Sequence, residues 1–135
     1  MAAPTYRGGG GKRVRTLVVS GQPRTLNSII KFLGQEGGFD IVGQCRSGWD
    51  GIRMAVDQLP DLVIADFTLE DMTGAAVSKA LKALPKAPDV IVVSSTASKD
   101  YMLISMQAGA DAYVLMTELE QIPLALRHSE STTRR

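Results

Sequence analysis

Short β-rich apolar runs alternate with amphipathic stretches along most of this chain. The runs lie at residues 16–19, 39–45, 62–65, 90–93 and 112–115. Between them, apolar residues recur at helical spacing, and proline or glycine interrupts the pattern near the ends of the stretches. The pattern predicts five strands and five helices, the helices beginning at Pro23, Trp49, Ala75, Lys99 and Leu119. Pro123 fits a helix only in its first turn, so the last helix either starts near Glu120 or bends there.

Five strand–helix units predict an α/β fold, a doubly wound parallel sheet with helices on both faces. Covering both faces also explains why the strands carry almost uninterrupted valine, isoleucine and leucine. The domain is expected to span residues 14–128, between a flexible glycine-rich leader at 1–13 and a polar tail or linker at 129–135. No strand precedes Gly8–Gly11 and no Gly-Lys-Ser/Thr follows them, so these glycines do not match a phosphate-binding loop.

Composition narrows the function classes. The 135 residues carry a formal net charge of +1, and no aromatic-basic surface accompanies the basic residues near the ends, so this domain is not expected to bind nucleic acid. Cys45 is the only cysteine, which excludes a disulfide framework and a multi-cysteine zinc cluster, and we expect it to be buried. No apolar stretch approaches the roughly 20 residues that span a bilayer. A soluble, cytoplasmic protein without membrane association is predicted.

Helical spacing also predicts which large side chains are buried. The stripe on the second helix consists of Trp49, Ile52, Ala55, Val56 and Leu59. We assign Trp49 to the core, and on the fourth helix also Leu103, Met106 and Met102. The charged residues Arg24, Lys99 and His128 are expected to be solvated, with anion binding as the alternative for the first two.

Polar residues follow the first, third and fourth strands. They are Ser20 with Gly21, then Asp66, then Ser94 with Ser95, while Met116 ends the fifth strand. In an open α/β sheet, ligands bind beyond the carboxyl ends of the strands, so these residues are expected to share one edge. Two interpretations stay open at this point. A carboxylate and hydroxyls can serve phosphoryl chemistry, or Asp66 and Ser94 can cap backbone N–H groups.

A set of short motifs resembles the receiver domain of bacterial two-component response regulators. The segments are 17–19 with Pro23, 60–66, 71–74, 90–94 and 108–113, in the order and spacing of that family. The resemblance covers residues 14–128 and implies a flavodoxin-like five-stranded sheet in the order 2-1-3-4-5. Residues 39–43 with Gly48 also resemble regulators that carry helix-turn-helix output domains.

The resemblance implies roles for individual residues. Asp66 falls on the phospho-accepting aspartate, and Ser94 and Tyr113 fall on the hydroxyl and the aromatic residue of the switch. The backbone carbonyl of Thr68 falls on a metal ligand of the family, which makes Asp66 and Thr68 a possible metal pair. Three positions depart from the family: Ser20 and Gly21 replace the acidic pair that holds Mg²⁺, and Met116 replaces the lysine that pairs with the phosphate. Leu69-Glu70 also replaces the usual Met-Pro, with Glu70 a weak substitute ligand.

These departures predict a site with poor Mg²⁺ affinity, since Mg²⁺ binds through one or two carboxylates plus substrate oxygens. Phosphoryl transfer depends on positioning and charge stabilisation, and both the metal and the lysine are missing. We therefore expect an atypical receiver, or pseudo-receiver, with no catalytic residues and no cofactor. The alternative is a working phosphoacceptor that uses Mg²⁺ and a histidine kinase. A small enzyme using the Asp66/Ser94 edge is the third and weakest hypothesis.

A receiver that phosphate does not switch is expected to act by binding. The resemblance implies an interaction face around the fourth helix, fifth strand and fifth helix, here with Tyr101, Met102, Tyr113 and Leu119. The expected partner is a protein or a second copy of the chain, with a helix-turn-helix output domain as a possible further component.

Overall fold

Five parallel strands form one sheet in the order β2-β1-β3-β4-β5. The structure, a computed structural model, describes residues 13–126. The predicted leader up to residue 12, His128 and the predicted tail at 129–135 lie outside the described residues. The doubly wound α/β fold and its strand order, both predicted from the sequence, are confirmed.

The strands and helices alternate along the chain as predicted. The strands are β1 (Val14–Val19), β2 (Phe39–Cys45), β3 (Leu62–Asp66), β4 (Asp89–Ser94) and β5 (Ala112–Leu115). The helices are α1 (Pro23–Glu36), α2 (Gly48–Gln58), α3 (Gly74–Lys82) and α4 (Lys99–Gln107), then a single-turn 3-10 helix (Met116–Glu118) and α5 at residues 121–126. The last helix begins at residue 121 rather than at Leu119, because a turn occupies 119–120. This agrees with the expected start near Glu120 and places Pro123 in the first turn of α5.

The sheet separates two apolar cores. Alternate residues of β3 point to opposite faces, as in any strand. Val63 and Ala65 pack in the cluster beneath α2 and α3, whereas Leu62 and Ile64 pack in the cluster beneath α1 and α5. All four side chains are fully buried, and burial of each large one stabilises the fold by about 1.5–3 kcal/mol.

Small residues bring α2 close to the sheet, and this overturns the predicted stripe. The inward positions are Gly48, Gly51 and Ala55, and a Cβ on Gly51 would lie 2.8 Å from a methyl group of Val19. The assignment of Trp49 to the core is wrong, because its side chain is 62% exposed. Within the predicted stripe, Val56 and Leu59 are also exposed, and only Ile52 and Ala55 pack against the core.

On α4, too, the residues that face the core are mostly small, and the predicted core residues are exposed. The inward residues are Tyr101 and Ser105 on α4 and Ala108 directly after it, of which only the tyrosine is large. The core assignment of Met102, Leu103 and Met106 is wrong, and Ile104 joins them at the surface, with exposures from 41% to 52%.

Cys45 is buried, as predicted. Burial raises the pKa of its thiol, and the negative charge of Asp50 raises it further. Its Sγ lies 3.8 Å from the sulfur of Met54, which fixes one flank of α2 against the edge strand β2. Within residues 13–126, no helix has the length and apolar character needed to cross a bilayer.

Candidate functional site

The strand register gathers the predicted polar residues at one edge. Val19 lies opposite Ala65, and Asp66 lies opposite Val93. Ser20, Asp66 and Ser94 therefore stand at the ends of the three adjacent strands β1, β3 and β4. Because Ser94 is opposite Leu115, Met116 follows at the end of β5.

Asp66 is almost completely buried, and protein donors bind both of its oxygens. The Ser20 hydroxyl donates to Oδ2 at 3.0 Å, and the backbone N–H of Thr68 donates to Oδ1 at 3.2 Å. Burial raises the pKa of the Asp66 carboxyl, and these two hydrogen bonds lower it in part. The carboxylate is thus held in place by the chain itself.

Hydrogen bonds with the backbone of neighbouring residues hold Ser20 in place. Its N–H donates to the carbonyl of Cys45 at 2.9 Å, and the N–H of Gln22 donates to its Oγ at 3.2 Å. The hydroxyl has two acceptors in reach, the carboxylate of Asp66 at 3.0 Å and the carbonyl of Gln22 at 3.4 Å, and the carboxylate is the nearer and stronger one. Beside it, Gly21 accepts a hydrogen bond from the Arg46 guanidinium at 3.3 Å through its carbonyl.

Ser94 and Tyr113 meet at the carbonyl of Thr96. The Ser94 hydroxyl donates to this oxygen at 3.3 Å and accepts from the Thr96 N–H at 3.0 Å. The Tyr113 hydroxyl donates to the same carbonyl at 2.8 Å. The structure therefore joins the two predicted switch residues through the loop between β4 and α4.

An aromatic pair that was not predicted from the sequence links the end of β3 to α4. Phe67 directly follows Asp66, and its ring stacks on Tyr101 with centroids 4.0 Å apart and planes 13° apart. Phe67 is buried and Tyr101 is half-buried, so this tyrosine serves the interior as well as the predicted interaction face. The sequence signal was an aromatic residue next to the aspartate, which spacing alone does not pair with a helix.

The Met116 side chain points away from the edge of the sheet at which Ser20, Asp66 and Ser94 lie. It packs against the core beneath α1 and α5, and Leu119 of the predicted interaction face packs there too. Met102 and Tyr113 lie elsewhere, in an open depression between α4 and β5. Lys99 and Glu118 also line this depression, so a cation and an anion flank its apolar part.

Asp71 performs a role that the sequence analysis did not assign. Its Oδ1 accepts from the N–H of Gly48 at 2.9 Å, and its Oδ2 accepts from the N–H of Trp49 at 3.0 Å. These backbone hydrogen bonds lower the pKa of the Asp71 carboxyl. The loop after Asp66 thereby holds the start of α2, where a carboxylate also complements the helix dipole. The signal that could have identified it is an aspartate in a loop facing a helix start.

The donors at the edge do not match a Mg²⁺ site. Mg²⁺ takes oxygen ligands and usually one or two carboxylates, whereas here Ser20 offers a hydroxyl and Gly21 no side chain. In the part of the chain that the structure describes, no three His, Cys, Asp or Glu side chains are placed to hold a metal ion. Glu70 is exposed and lines an open depression with Gly21 and Arg46. Arg24 is exposed on the first turn of α1.

Comparisons with known proteins identify the same type of domain. The family model described as "Response regulator receiver domain" matches residues 16–123. The transcriptional regulatory protein LiaR of Bacillus subtilis is 27% identical over 104 residues, which are 77% of this chain and 49% of that protein. A protein-glutamate methylesterase/protein-glutamine glutaminase of Myxococcus xanthus is 30% identical over 84% of this chain and 31% of its own length. The chain therefore spans about half or less of these relatives.

A solved structure shares the fold. The CheY-like response regulator receiver domain protein of Methanospirillum hungatei is 27% identical and superposes with a TM-score of 0.73. The match covers 90% of this chain and 99% of that one. The sheet order and the strand-end edge are thus those of a known architecture.

Proposed function

This chain belongs to the response regulator receiver domain family, and from that premise we propose an atypical receiver that signals by binding a protein partner rather than by regulated phosphorylation of Asp66. One observation carries the proposal. The Ser20 hydroxyl occupies Oδ2 of Asp66 at 3.0 Å, at a position where the family resemblance implies a carboxylate. A neutral donor thus replaces an anionic metal ligand.

The chemistry of phosphoryl transfer supports this assignment. Asp66 can attack a phosphoryl donor only if two anionic groups approach each other, and positive charge must stabilise that approach. Met116 packs in the opposite core and supplies none. Hydrogen bonds from Ser20 and Thr68 also engage both oxygens of Asp66 and reduce their nucleophilicity. We therefore expect Asp66 to keep these two hydrogen bonds and to remain unphosphorylated.

The partner surface that we propose is the depression between α4 and β5. Met102 is exposed there beside Tyr113, and methionine adapts its shape to a partner. Lys99 and Glu118 at the margin can pair with charges of the partner and fix its orientation. A variant such as Met102→Glu should abolish partner binding, whereas Gln35→Glu on the exposed face of α1 should leave it unchanged.

Names of relatives favour a signalling role over an enzymatic one. LiaR is named as a transcriptional regulatory protein, which supports transcriptional control as the output, with a helix-turn-helix domain and a histidine kinase as its expected components. The methylesterase relative extends over about three times the matched region, so its activity does not transfer to this domain. We propose that the domain itself is not an enzyme.

The second candidate is a working phosphoacceptor. The position of Asp66 at the end of β3, one strand from Ser94, favours it. In that case a histidine kinase would modify Asp66, and Mg²⁺ would bind Asp66 and the Thr68 carbonyl.

A titration separates the two candidates. Mg²⁺ and beryllofluoride, a mimic of the aspartyl phosphate, are added while amide NMR shifts of residues 66, 94 and 113 are followed. We expect no saturable change at millimolar Mg²⁺. Saturable shifts that disappear in Asp66→Asn would overturn the proposal and establish the phosphoacceptor. Acetyl phosphate with mass analysis of the intact chain gives an independent readout of the same question.

A further inference from the structure

An apolar strip lies between α2 and α3, on a different part of the molecule from the α4 depression. Trp49 and Val56 are seven residues apart on α2 and so share one face, and they are 62% and 55% exposed. Ile52, one turn from each, is half-buried between them. Exposed tryptophan next to exposed valine is unusual on a surface that meets only water.

Contacts on the outer flanks of the two helices show that this strip faces the groove between them. On α2, Met54 touches Cys45 of the edge strand, so the opposite flank, with Ile52 and Val56, faces α3. On α3, the Ser78 hydroxyl donates to the carbonyl of Ala108, which follows α4. Toward α2, the side of α3 that carries Val77 is the closest, because a Cβ on Gly48 would lie 3.1 Å from Cγ2 of Val77.

Next to Val77, α3 carries Ala76 and Ala80, which are one turn apart. Small side chains there leave the groove shallow and open to another chain. We call the residues Trp49, Ile52, Val56, Ala76 and Ala80 the α2–α3 surface.

The backbone of Trp49 is held in position before anything binds. Its backbone N–H donates to Asp71, and the N-cap Ser47 accepts from the N–H of Asp50 at 3.1 Å. A fixed backbone loses little freedom on association, which favours binding. Tryptophan is also the residue type most enriched among those that dominate interface energies.

We propose that the α2–α3 surface binds a second copy of this chain. Charge on its two margins is complementary: α3 carries Lys79 and Lys82 and no acidic residue, whereas α2 carries Asp50, Asp57 and one arginine. Asp50 forms an ion pair with Arg53, and Lys82 forms one with Asp111. The charges that these pairs leave for contacts with another chain are Asp57 and Lys79. A two-fold axis parallel to the helices would lay α2 of one copy over α3 of the other and bring these two charges together.

The chain has one tryptophan, so its fluorescence reports on this surface alone. The full chain is examined by analytical ultracentrifugation and by tryptophan emission over the same concentration series. We expect the mass to rise from monomer to dimer while the emission maximum shifts to shorter wavelength with the same midpoint. A chain that stays monomeric, with unchanged emission at every concentration, overturns the proposal.

Matched variants identify the surface. Val56→Lys should weaken the dimer at least about tenfold in Kd, whereas Leu103→Lys on α4 should leave both the mass and the emission unchanged. Asp57→Lys and Lys79→Glu should each weaken the dimer, and the double variant should recover it. A dimer that survives Val56→Lys overturns the proposal, as does one that Leu103→Lys abolishes. Circular dichroism verifies the fold of each variant, and none of them touches Asp66, so failure here leaves the proposal on phosphorylation intact.

Discussion

The surroundings of Asp66 disfavour the charged form of its carboxyl group. Removal from water costs the charged form, and two hydrogen bonds offset part of that cost. Its folded-state pKa therefore lies above the unfolded value of 3.8. Below that value the carboxyl is protonated in both states and its full contribution to stability is present. As the pH rises through the folded pKa, that contribution is lost.

Replacing Asp66 with asparagine should therefore stabilise the protein at neutral and alkaline pH. The amide keeps the shape, it can accept from Thr68, and it can donate to Ser20, whose hydroxyl then turns to the carbonyl of Gln22 at 3.4 Å. We expect the free energy of unfolding in urea to increase at about pH 8, with a much smaller difference at about pH 4. Equal or lower stability of Asp66→Asn at about pH 8 would contradict this account of the burial.

Ser105 is the one buried side-chain polar group within residues 13–126 that lacks a hydrogen-bond partner. A buried unsatisfied hydroxyl costs about 1–3 kcal/mol, so Ser105→Ala should raise the free energy of unfolding by about 1 kcal/mol. Ser78 provides the matched control, since its buried hydroxyl does donate, to the carbonyl of Ala108 at 3.3 Å. Ser78→Ala should lower stability by a similar amount. Chemical denaturation of both variants tests the contrast, and a loss of stability in Ser105→Ala would refute it.

At the scale of the elements, α2 is a helix whose sequence pattern predicts the wrong buried face. Its apolar residues follow helical periodicity, yet its buried residues are Gly48, Gly51 and Ala55, and Gly51 lies against Val19 of the sheet. A helix can bury a face of small residues because close backbone approach replaces large side-chain contacts. Hydropathy does not identify glycine as a core residue, so the pattern predicted that Trp49 points inward. The inward Ser105 of α4 and Ala108 directly after it mislead in the same way.

The start of α2 is held by Asp71, whose carboxylate accepts hydrogen bonds from the backbone N–H groups of Gly48 and Trp49. The folded-state pKa of this carboxyl lies below the unfolded value of 3.8, so its contribution is present above that value and is lost as the pH falls through the folded pKa. Asp71→Ala should increase the hydrogen exchange of the Gly48 and Trp49 amides several-fold at neutral pH, with the core strands unaffected. Gln58→Ala, at an exposed residue near the other end of the same helix, should leave those amides unchanged. Unaltered exchange in Asp71→Ala would show that the α2 start is held by other contacts.

At the scale of the whole molecule, the fold is readable from the sequence and the site only in part. Continuous apolar strands such as Leu62–Asp66 require cover on both faces, which leaves the doubly wound sheet as the compatible arrangement. Strand register then brings Ser20, Asp66 and Ser94 to one edge. The hydrogen bond from Ser20, the stack of Phe67 on Tyr101 and the Asp71 cap depend on side-chain rotamers and loop paths, which no residue spacing specifies.

Whether an acidic pair at residues 20 and 21 would make the stability of the whole domain depend on metal can be tested by introducing one. Two carboxylates about 4 Å apart repel by about 4 kcal/mol at an effective dielectric near 20. Ser20→Asp with Gly21→Asp should therefore be less stable than the native chain in metal-free buffer. The introduced carboxylates should also make stability depend on Mg²⁺, with a gain of about 1.4 kcal/mol for each tenfold increase above Kd.

The native chain should show no such dependence, because its Ser20 donates to Asp66 and brings no negative charge. Ser20→Asn with Gly21→Asn controls for the added volume, since a Cβ at residue 21 lies 3.2 Å from the carbonyl oxygen of Arg46 in both variants. Urea unfolding with and without Mg²⁺ compares the three chains. If Mg²⁺ stabilises the native chain as steeply as the aspartate variant, the native site already binds the ion, and the predicted poor affinity for Mg²⁺ is wrong.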